Sequence, residues 1–263
     1  MIIKQLFTDN AYRNFNYLIA CSNSGEALAV DPLDHQRCLA AAKDAGWEIT
    51  QVLNTHEHGD HTGGNKAVIA ATGAKLLAHH DAKDKIPGLD RGLSAGDVIT
   101  VGKRVELEVL DTPGHTMSHV CVMGHADQPA LICGDTLFNA GAGNCHNGGH
   151  PPELYETFAG QLAALPENTL IYPGHDYIES NLKFTLDREP DNARAGALLD
   201  ELRGQDSYHA RVTTLALEKE VNTFFRLHSP SIIAALREHF PDLPDTPSEK
   251  DVFLRLRELR NSW

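Results

Sequence analysis

Apolar residues in the first two thirds of the chain come in short runs between turn residues, and the spacing within each run assigns its element. Met1 to Asp9 reads as a strand that begins the fold. Phe15 to Cys21 and Glu26 to Asp31 read as the strands of a hairpin around Ser24-Gly25. Asp34 can cap a helix running to about Ala45, ended by Gly46. Ile49 to Leu53 predicts a strand, Asn65 to Ala71 a helix stopped by Gly73, and Lys75 to Ala78 another strand. From Val98 to Leu131 the texture is mostly β, and Val105-Glu106-Leu107-Glu108-Val109-Leu110 alternates at period two. Pro152 to Leu165 reads as a helix and Thr169 to Tyr172 as a last strand. After about Tyr177 the pattern becomes helical, over Asn181 to Asp187, Ala193 to Leu202, Ser231 to Phe240 and Ser248 to Asn261. Pro230 and Pro247 sit near the starts of the last two, where a missing N–H costs little. Mixed strands and helices followed only by helices predict an α/β body with an appended helical region. The change falls near residue 177.

Four apolar runs stop abruptly at a polar residue of ligand type. Gln51 to Thr55 leads into His56, Leu110 to Gly114 into His115, Leu131 to Gly134 into Asp135, and Ile171 to Gly174 into His175. In the last three a glycine stands immediately before, which lets the backbone turn sharply and approach other groups closely. Functional groups of sheet proteins gather at strand ends, so four such ends can converge on one point. The segment His56-x-His58-x-Asp60-His61 is denser still. Imidazole nitrogen and carboxylate oxygen are ligands zinc takes. One arrangement uses all seven candidates: His56, His58 and His115 on one ion, Asp60, His61 and His175 on another, and Asp135 between them. Two metals roughly 3.5 Å apart lower the pKa of a shared water toward 7 and polarise a substrate carbonyl. A lone histidine after a strand is more often a hydrogen-bonded residue than a ligand. Three histidines and an aspartate within six residues are different, because crowded polar groups cost stability if nothing binds them. His79, His80, His119, His125, His209, His228 and His239 are left as ordinary hydrogen-bonding residues.

Composition narrows the setting. The chain has 263 residues, 41% hydrophobic and 22% charged, enough to bury a core in one large domain or two small ones. Its net charge of −13 repels nucleic-acid backbones and anionic membranes, so neither is an expected partner. No apolar run reaches the roughly 18 residues of a membrane span, and the N-terminus lacks a signal-peptide core. Five cysteines without a Cys-x-x-Cys suit a reducing, cytoplasmic setting. Cys21, Cys38, Cys121 and Cys133 read as buried inert thiols, and Cys145, among glycines, as lying outside the core.

The string Thr55-His56-x-His58-x-Asp60-His61, with Gly114-His115, Gly134-Asp135-Thr136 and Gly174-His175 in that order, resembles the metallo-β-lactamase superfamily. That resemblance implies an αββα sandwich with the metals at one edge of two sheets. Within the superfamily the chain looks like glyoxalase II, the hydroxyacylglutathione hydrolases. The similarity rests on Thr112-Pro113-Gly114-His115-Thr116, on Gly174-His175-Asp176-Tyr177 with Asn181-Leu182-Lys183-Phe184 and Glu189-Pro190-x-Asn192, on Glu218-Lys219-x-x-Asn222-x-Phe224-x-Arg226, and on Leu256-Arg257-x-x-Arg260. It implies a catalytic domain over 1–177 and a helical substrate-binding domain over 178–263. It also implies two divalent metal ions, zinc foremost with iron or manganese as alternatives. The implied reaction is hydrolysis of S-(2-hydroxyacyl)glutathione thioesters such as S-lactoylglutathione by a metal-bridging hydroxide oriented by Asp60 and Asp135. Tyr177, Arg257 and Arg260 are the implied glutathione contacts; guanidinium suits glutathione carboxylates. One loop departs from the family pattern: Gly141-Ala142-Gly143-Asn144-Cys145-His146 has Asn144 where a cation is expected and His146 near the place of an aromatic.

Three other readings compete. A glutathione persulfide dioxygenase with a single iron shares the first half, but usually has alanine before the final histidine and lacks the long helical extension. Gly174 and residues 180–263 count against it. Lactone or phosphodiester hydrolysis is a further option on the same fold. A non-enzymatic binding protein would be expected to have lost ligands, and all seven are present.

Overall fold

The computed structural model describes residues 1–263. The first sheet runs in the order β1 (Ile2–Phe7), β2 (Phe15–Ala20), β3 (Glu26–Val30), β4 (Glu48–Leu53), β5 (Lys75–His79) and β6 (Arg91–Leu93). Its β3 to β6 pairings are parallel and its β1 to β3 pairings antiparallel. Helices α1 (His35–Ala45), α2 (Gly59–Thr62) and α3 (Asn65–Thr72) connect its parallel strands. The second sheet contains β7 (Val98–Val101), β8 (Val105–Asp111), β9 (Val120–Gly124), β10 (Ala130–Gly134), β13 (Leu170–Pro173) and β14 (Thr213–Thr214). Between β10 and β13 lie the small hairpin β11 (Leu137–Phe138) and β12 (Gly141–Ala142) and helix α4 (Pro151–Gly160). The tail carries α5 (Ile178–Arg188), α6 (Ala193–Glu201), α7 (Leu215–Val221), α8 (Pro230–His239) and α9 (Glu249–Arg260).

Alternation along the strands produces the layers. Val120 and Val122 of β9, with Ile132 of β10, face Tyr17, Ile19, Leu28 and Leu53 of the first sheet in one buried cluster. Cys121 and Met123, with Leu131 and Cys133, point the other way and pack under α4, α5, α8 and α9. The opposite face of the first sheet, with Leu18, Ala29, Val52 and Leu76, is covered by Cys38 and Ala42 of α1 and Val68 of α3. The result is helix, sheet, sheet, helix, as period-two patterning on both sheets demands.

Asp34 accepts from the Arg37 N–H and Gly46 closes α1 in the left-handed region, as the sequence predicts. Two expectations need correction. Strands do not stop at Tyr177: Thr213–Thr214 adds a short antiparallel strand to the free edge of β13. The helix expected over Pro152 to Leu165 ends at Gly160 and resumes as a single 3-10 turn, Leu162–Ala164. Cys21, Cys38, Cys121 and Cys133 are buried free thiols, and Cys145 is partly exposed. No helix is long and apolar enough to cross a membrane.

Candidate metal centre and substrate pocket

The strand ends deliver their side chains to one edge. β4 leads through Thr55 into His56, and the short α2 behind His58 carries Asp60 and His61. β8, β10 and β13 run in one direction in their sheet and give way to His115, Asp135 and His175. Two glycines allow the close approach. Gly134 has φ +46°, and a Cβ there would lie 2.5 Å from Thr55 Oγ1. At Gly174 a Cβ would lie 2.1 Å from Asp135 Oδ1.

Hydrogen bonding on the far side of each ring fixes which nitrogen faces inward. The Tyr12 carbonyl, 2.7 Å from His175 Nδ1, can only accept, so that nitrogen carries the proton. The Asn144 carbonyl does the same for His115 Nδ1 at 2.6 Å, and the Asp31 carboxylate for His61 Nδ1 at 2.9 Å. Thr55 donates its hydroxyl proton to Asp31, so its oxygen accepts from His56 Nδ1. His58 is reversed: its Nε2 faces the Asn147 carbonyl at 3.1 Å, which leaves the lone pair on Nδ1.

The inward lone pairs form two groups. His58 Nδ1 lies 3.0 Å from both His56 Nε2 and His115 Nε2. His61 Nε2 and His175 Nε2 are 3.3 Å apart, with Asp60 Oδ2 at 3.6 and 3.5 Å from them. Asp135 stands between, its Oδ2 3.5 Å from His115 Nε2 and 3.1 Å from His175 Nε2, its Oδ1 3.4 Å from His61 Nε2. Asp135 Oδ1 is buried with no hydrogen-bond partner. Lone pairs facing lone pairs at such distances repel unless a cation sits among them. The nitrogen and oxygen donor set is what a divalent metal takes. Within each of the groups His56–His58–His115, His56–His61–Asp135 and Asp60–His61–His175, ligand atoms lie within 4.8 Å of one another. The residues fit two ions.

Burial keeps the His56 ring neutral, well below its usual pKa, and pulls His115 down to about 4. Burial works against a charged His61 as well, but Asp135 and Asp31 overcome it and raise that ring well above its usual value. Burial pushes the Asp135 carboxyl up, and His175 and His61 more than reverse it.

Three supporting residues escaped the sequence reading. Asp31 accepts from Thr55 N–H, Thr55 hydroxyl and His61, and so orients two ligand segments. It too follows a strand directly, so the strand-end rule contained it. His119, read as an ordinary hydrogen-bonding residue, accepts from the Asp135 N–H at 3.2 Å and stacks on His56. Asn14 donates to Asp60 Oδ2 at 3.1 Å. Nothing in the sequence pattern marks His119 or Asn14.

Next to this donor cluster is a cavity of about 200 Å³ that brings Tyr177, Arg257, Arg260, Asn144 and His146 together, with Phe138. The Tyr177 ring lies parallel to His175 at 4.9 Å, and Phe138 meets both edge-on. The two arginines share a face of α9 but not a situation. Arg257 is buried; its Nη1 donates to the Ala142 and Gly143 carbonyls at 2.8 and 3.0 Å, and its Nη2 to Asn261 at 2.9 Å. Burial brings it down to about 10. Arg260 is half-buried, and its protein hydrogen bonds all come from Nη2, to Ser180 and Asn181. Asn144 folds its side chain back to accept from the His146 N–H.

This architecture and this centre define a member of the metallo-β-lactamase superfamily, and residues 15–175 match the model of that superfamily. Residues 176–263 match the hydroxyacylglutathione hydrolase C-terminus. The chain is 69% identical to a hydroxyacylglutathione hydrolase of Nitrosococcus oceani and 68% identical to one of Polaromonas sp., in each case over all of both chains. It belongs to the hydroxyacylglutathione hydrolase family. Among solved structures it is similar to ETHE1 from Myxococcus xanthus, at 26% identity, TM-score 0.69 and 93% coverage of each chain.

Proposed function

We propose that the chain hydrolyses S-(2-hydroxyacyl)glutathione thioesters, such as S-lactoylglutathione, to glutathione and a 2-hydroxy acid. The observation that carries this reading is a two-group lone-pair centre beside a pocket that holds a guanidinium with unpaired N–H groups, walled by the helical tail. The two metallo-β-lactamase-like and helical units, 1–177 and 178–263, supply the centre and that wall respectively. His56, His58 and His115 would hold one divalent ion, Asp60, His61 and His175 a second, and Asp135 both; zinc suits this donor set best, with iron or manganese as alternatives. Bound there, the ions would acidify water and polarise the thioester carbonyl.

The chain's own groups do the rest. Asp60 and Asp135 face the reacting centre with carboxylate oxygens that orient a water and take its proton. Water adds across the acyl carbon–sulfur bond, giving the acid and the thiol. A thiol of pKa about 8.5 leaves without a strong general acid. Arg260 offers its unused N–H groups to a glutathione carboxylate. Tyr177, fixed on His175, presents its hydroxyl to the peptide part. Arg257 holds the Ala142–Gly143 backbone that forms the pocket floor, and Asn144 and His146 supply neutral polar contacts on its rim. Free cysteines throughout suit a cytoplasmic setting.

The test compares metal-loaded protein on S-lactoylglutathione, a non-glutathione thioester, and glutathione persulfide under oxygen. The expected result is turnover of the glutathione thioester. His58→Ala and Asp135→Ala should each abolish it and lower the bound metal. Arg260→Ala should raise KM more than it lowers kcat. Oxygen-dependent loss of the persulfide in preference to the thioester would overturn the reading, as would full turnover by Asp135→Ala with two ions bound.

A further inference from the structure

Glu57 lies between two ligands, His56 and His58, and no step above uses it. Its side chain is only 12% exposed. It is not idle: Oε1 accepts from Lys85 Nζ at 2.5 Å, and Oε2 from the Thr116 hydroxyl at 2.9 Å and the Ser118 hydroxyl at 3.0 Å. Lys85 Nζ also donates to Ser118 at 3.0 Å, which closes the network. Thr116 and Ser118 are themselves buried.

We infer that Glu57 is a positioning residue for the three-histidine ion, clamping the two loops that must meet to form that site. The reasoning is connectivity. His56 and His58 come from the loop after β4 in the first sheet, and His115 from the loop after β8 in the second. Those strands do not pair, and the backbone bond from Val120 N–H to the Thr55 carbonyl at 2.8 Å ties the two loops only at their roots, leaving the ligand-bearing stretches to be joined by side chains. Glu57 bonds from the first loop directly to Thr116, the neighbour of His115, and Lys85 braces both from the segment before β6. The other ligand group is supported elsewhere: Asp60 by Asn14, His61 by Asp31 and His175 by the Tyr12 carbonyl. Outer bonds of this kind typically tune metal affinity by about 10- to 100-fold. Because Glu57 and its partners reach only the three-histidine group, with Asp31 the support common to both groups, losing the clamp should loosen one ion and spare the other.

The inference rests on the two-ion reading, and one experiment separates them. Stepwise competition with a chromophoric chelator measures each ion's affinity in the unaltered chain and in Glu57→Ala. The expected result is one ion held about 10- to 100-fold more weakly and the other unchanged. Thr116→Val, which removes a single donor at nearly constant volume, should show a smaller loss at the same ion, and takes the place of Glu57→Ala if that variant does not fold. Two affinities equal to those of the unaltered chain, or both weakened together, would overturn the clamp. An unaltered chain that takes up fewer than two ions would instead overturn the two-ion reading.

Discussion

At the scale of single residues, Gly174 shows how little room the centre has. A methyl group there would stand 2.1 Å from Asp135 Oδ1, 3.0 Å from His61 Cε1 and 3.2 Å from the Gly134 carbonyl carbon. The carboxylate cannot swing away cheaply, because it is buried and closed in by the rings of His61, His115 and His175. Gly174→Ala should therefore displace Asp135 from its place between the two ligand groups. We expect hydrolysis to fall by about 10²-fold or more, in line with the cost of a misplacement near 1 Å, with bound metal reduced toward one ion. Assay and metal content of the purified variant check this; two tight ions and unchanged kcat would refute it. The same contact gives physical meaning to the glycine in this sequence, where a single-iron relative usually has alanine. The cluster of donor residues was legible because metal binding calls for such residue types and concentrates them at strand ends. The intrachain hydrogen bonds of Arg257 and Asn144 were not, because composition does not reveal which polar groups the fold itself engages.

Among elements, the junction between α5 and the turn after α7 depends on one charge pair. Arg226 grips Glu189 with two bonds of 2.7 Å, and Ser229 and Asn192 add bonds of 2.6 and 2.8 Å. Burial raises the Glu189 carboxyl, but these partners bring it below its usual value. A lowered carboxylate contributes stability above its unfolded pKa of about 4.3 and loses it as pH falls through the folded value. Arg226→Ala leaves Glu189 buried without its cation. The expected cost at pH 7 is about 2–4 kcal/mol, somewhat below that of a fully buried pair because Arg226 is 31% exposed. The cost should shrink toward pH 4, where Glu189 can bind a proton. Urea unfolding at both pH values measures it, and a pH-independent cost would show that lost packing dominates. Elements with strong local signals, such as α1 between Asp34 and Gly46, were legible in the sequence. The two residues of β14 and the break at Gly160 were not, since an edge pairing of that length is decided by the neighbouring strand and not by local period.

For the whole molecule, the stretches before and after residue 177 share one packed core. Half of the twenty buried side chains in the cluster behind the second sheet come from the tail, among them Phe184, Phe224, Val252 and Phe253. Each such side chain is worth roughly 1.5–3 kcal/mol when buried, and together they exceed the 5–15 kcal/mol net stability typical of a folded chain. The tail also holds the loop between Asp135 and Asn144. The buried Glu218 carboxylate accepts from the Ala140 N–H at 2.8 Å, Asn222 donates to the Gly141 carbonyl at 3.1 Å, and Arg257 to those of Ala142 and Gly143. One end of that loop is Asp135, between the two groups of donor atoms, and the other fixes the His115 ring. Cutting the chain after Tyr177 would thus uncover the outer face of the second sheet and release the loop at once. We expect the full chain to unfold in one calorimetric transition that metal removal lowers without splitting, because ions that bind only the folded state stabilise it as a unit. Residues 1–177 alone should aggregate and hold no tightly bound ion. A soluble 1–177 fragment with its own transition and two bound ions would show that the metal centre stands without its helical wall.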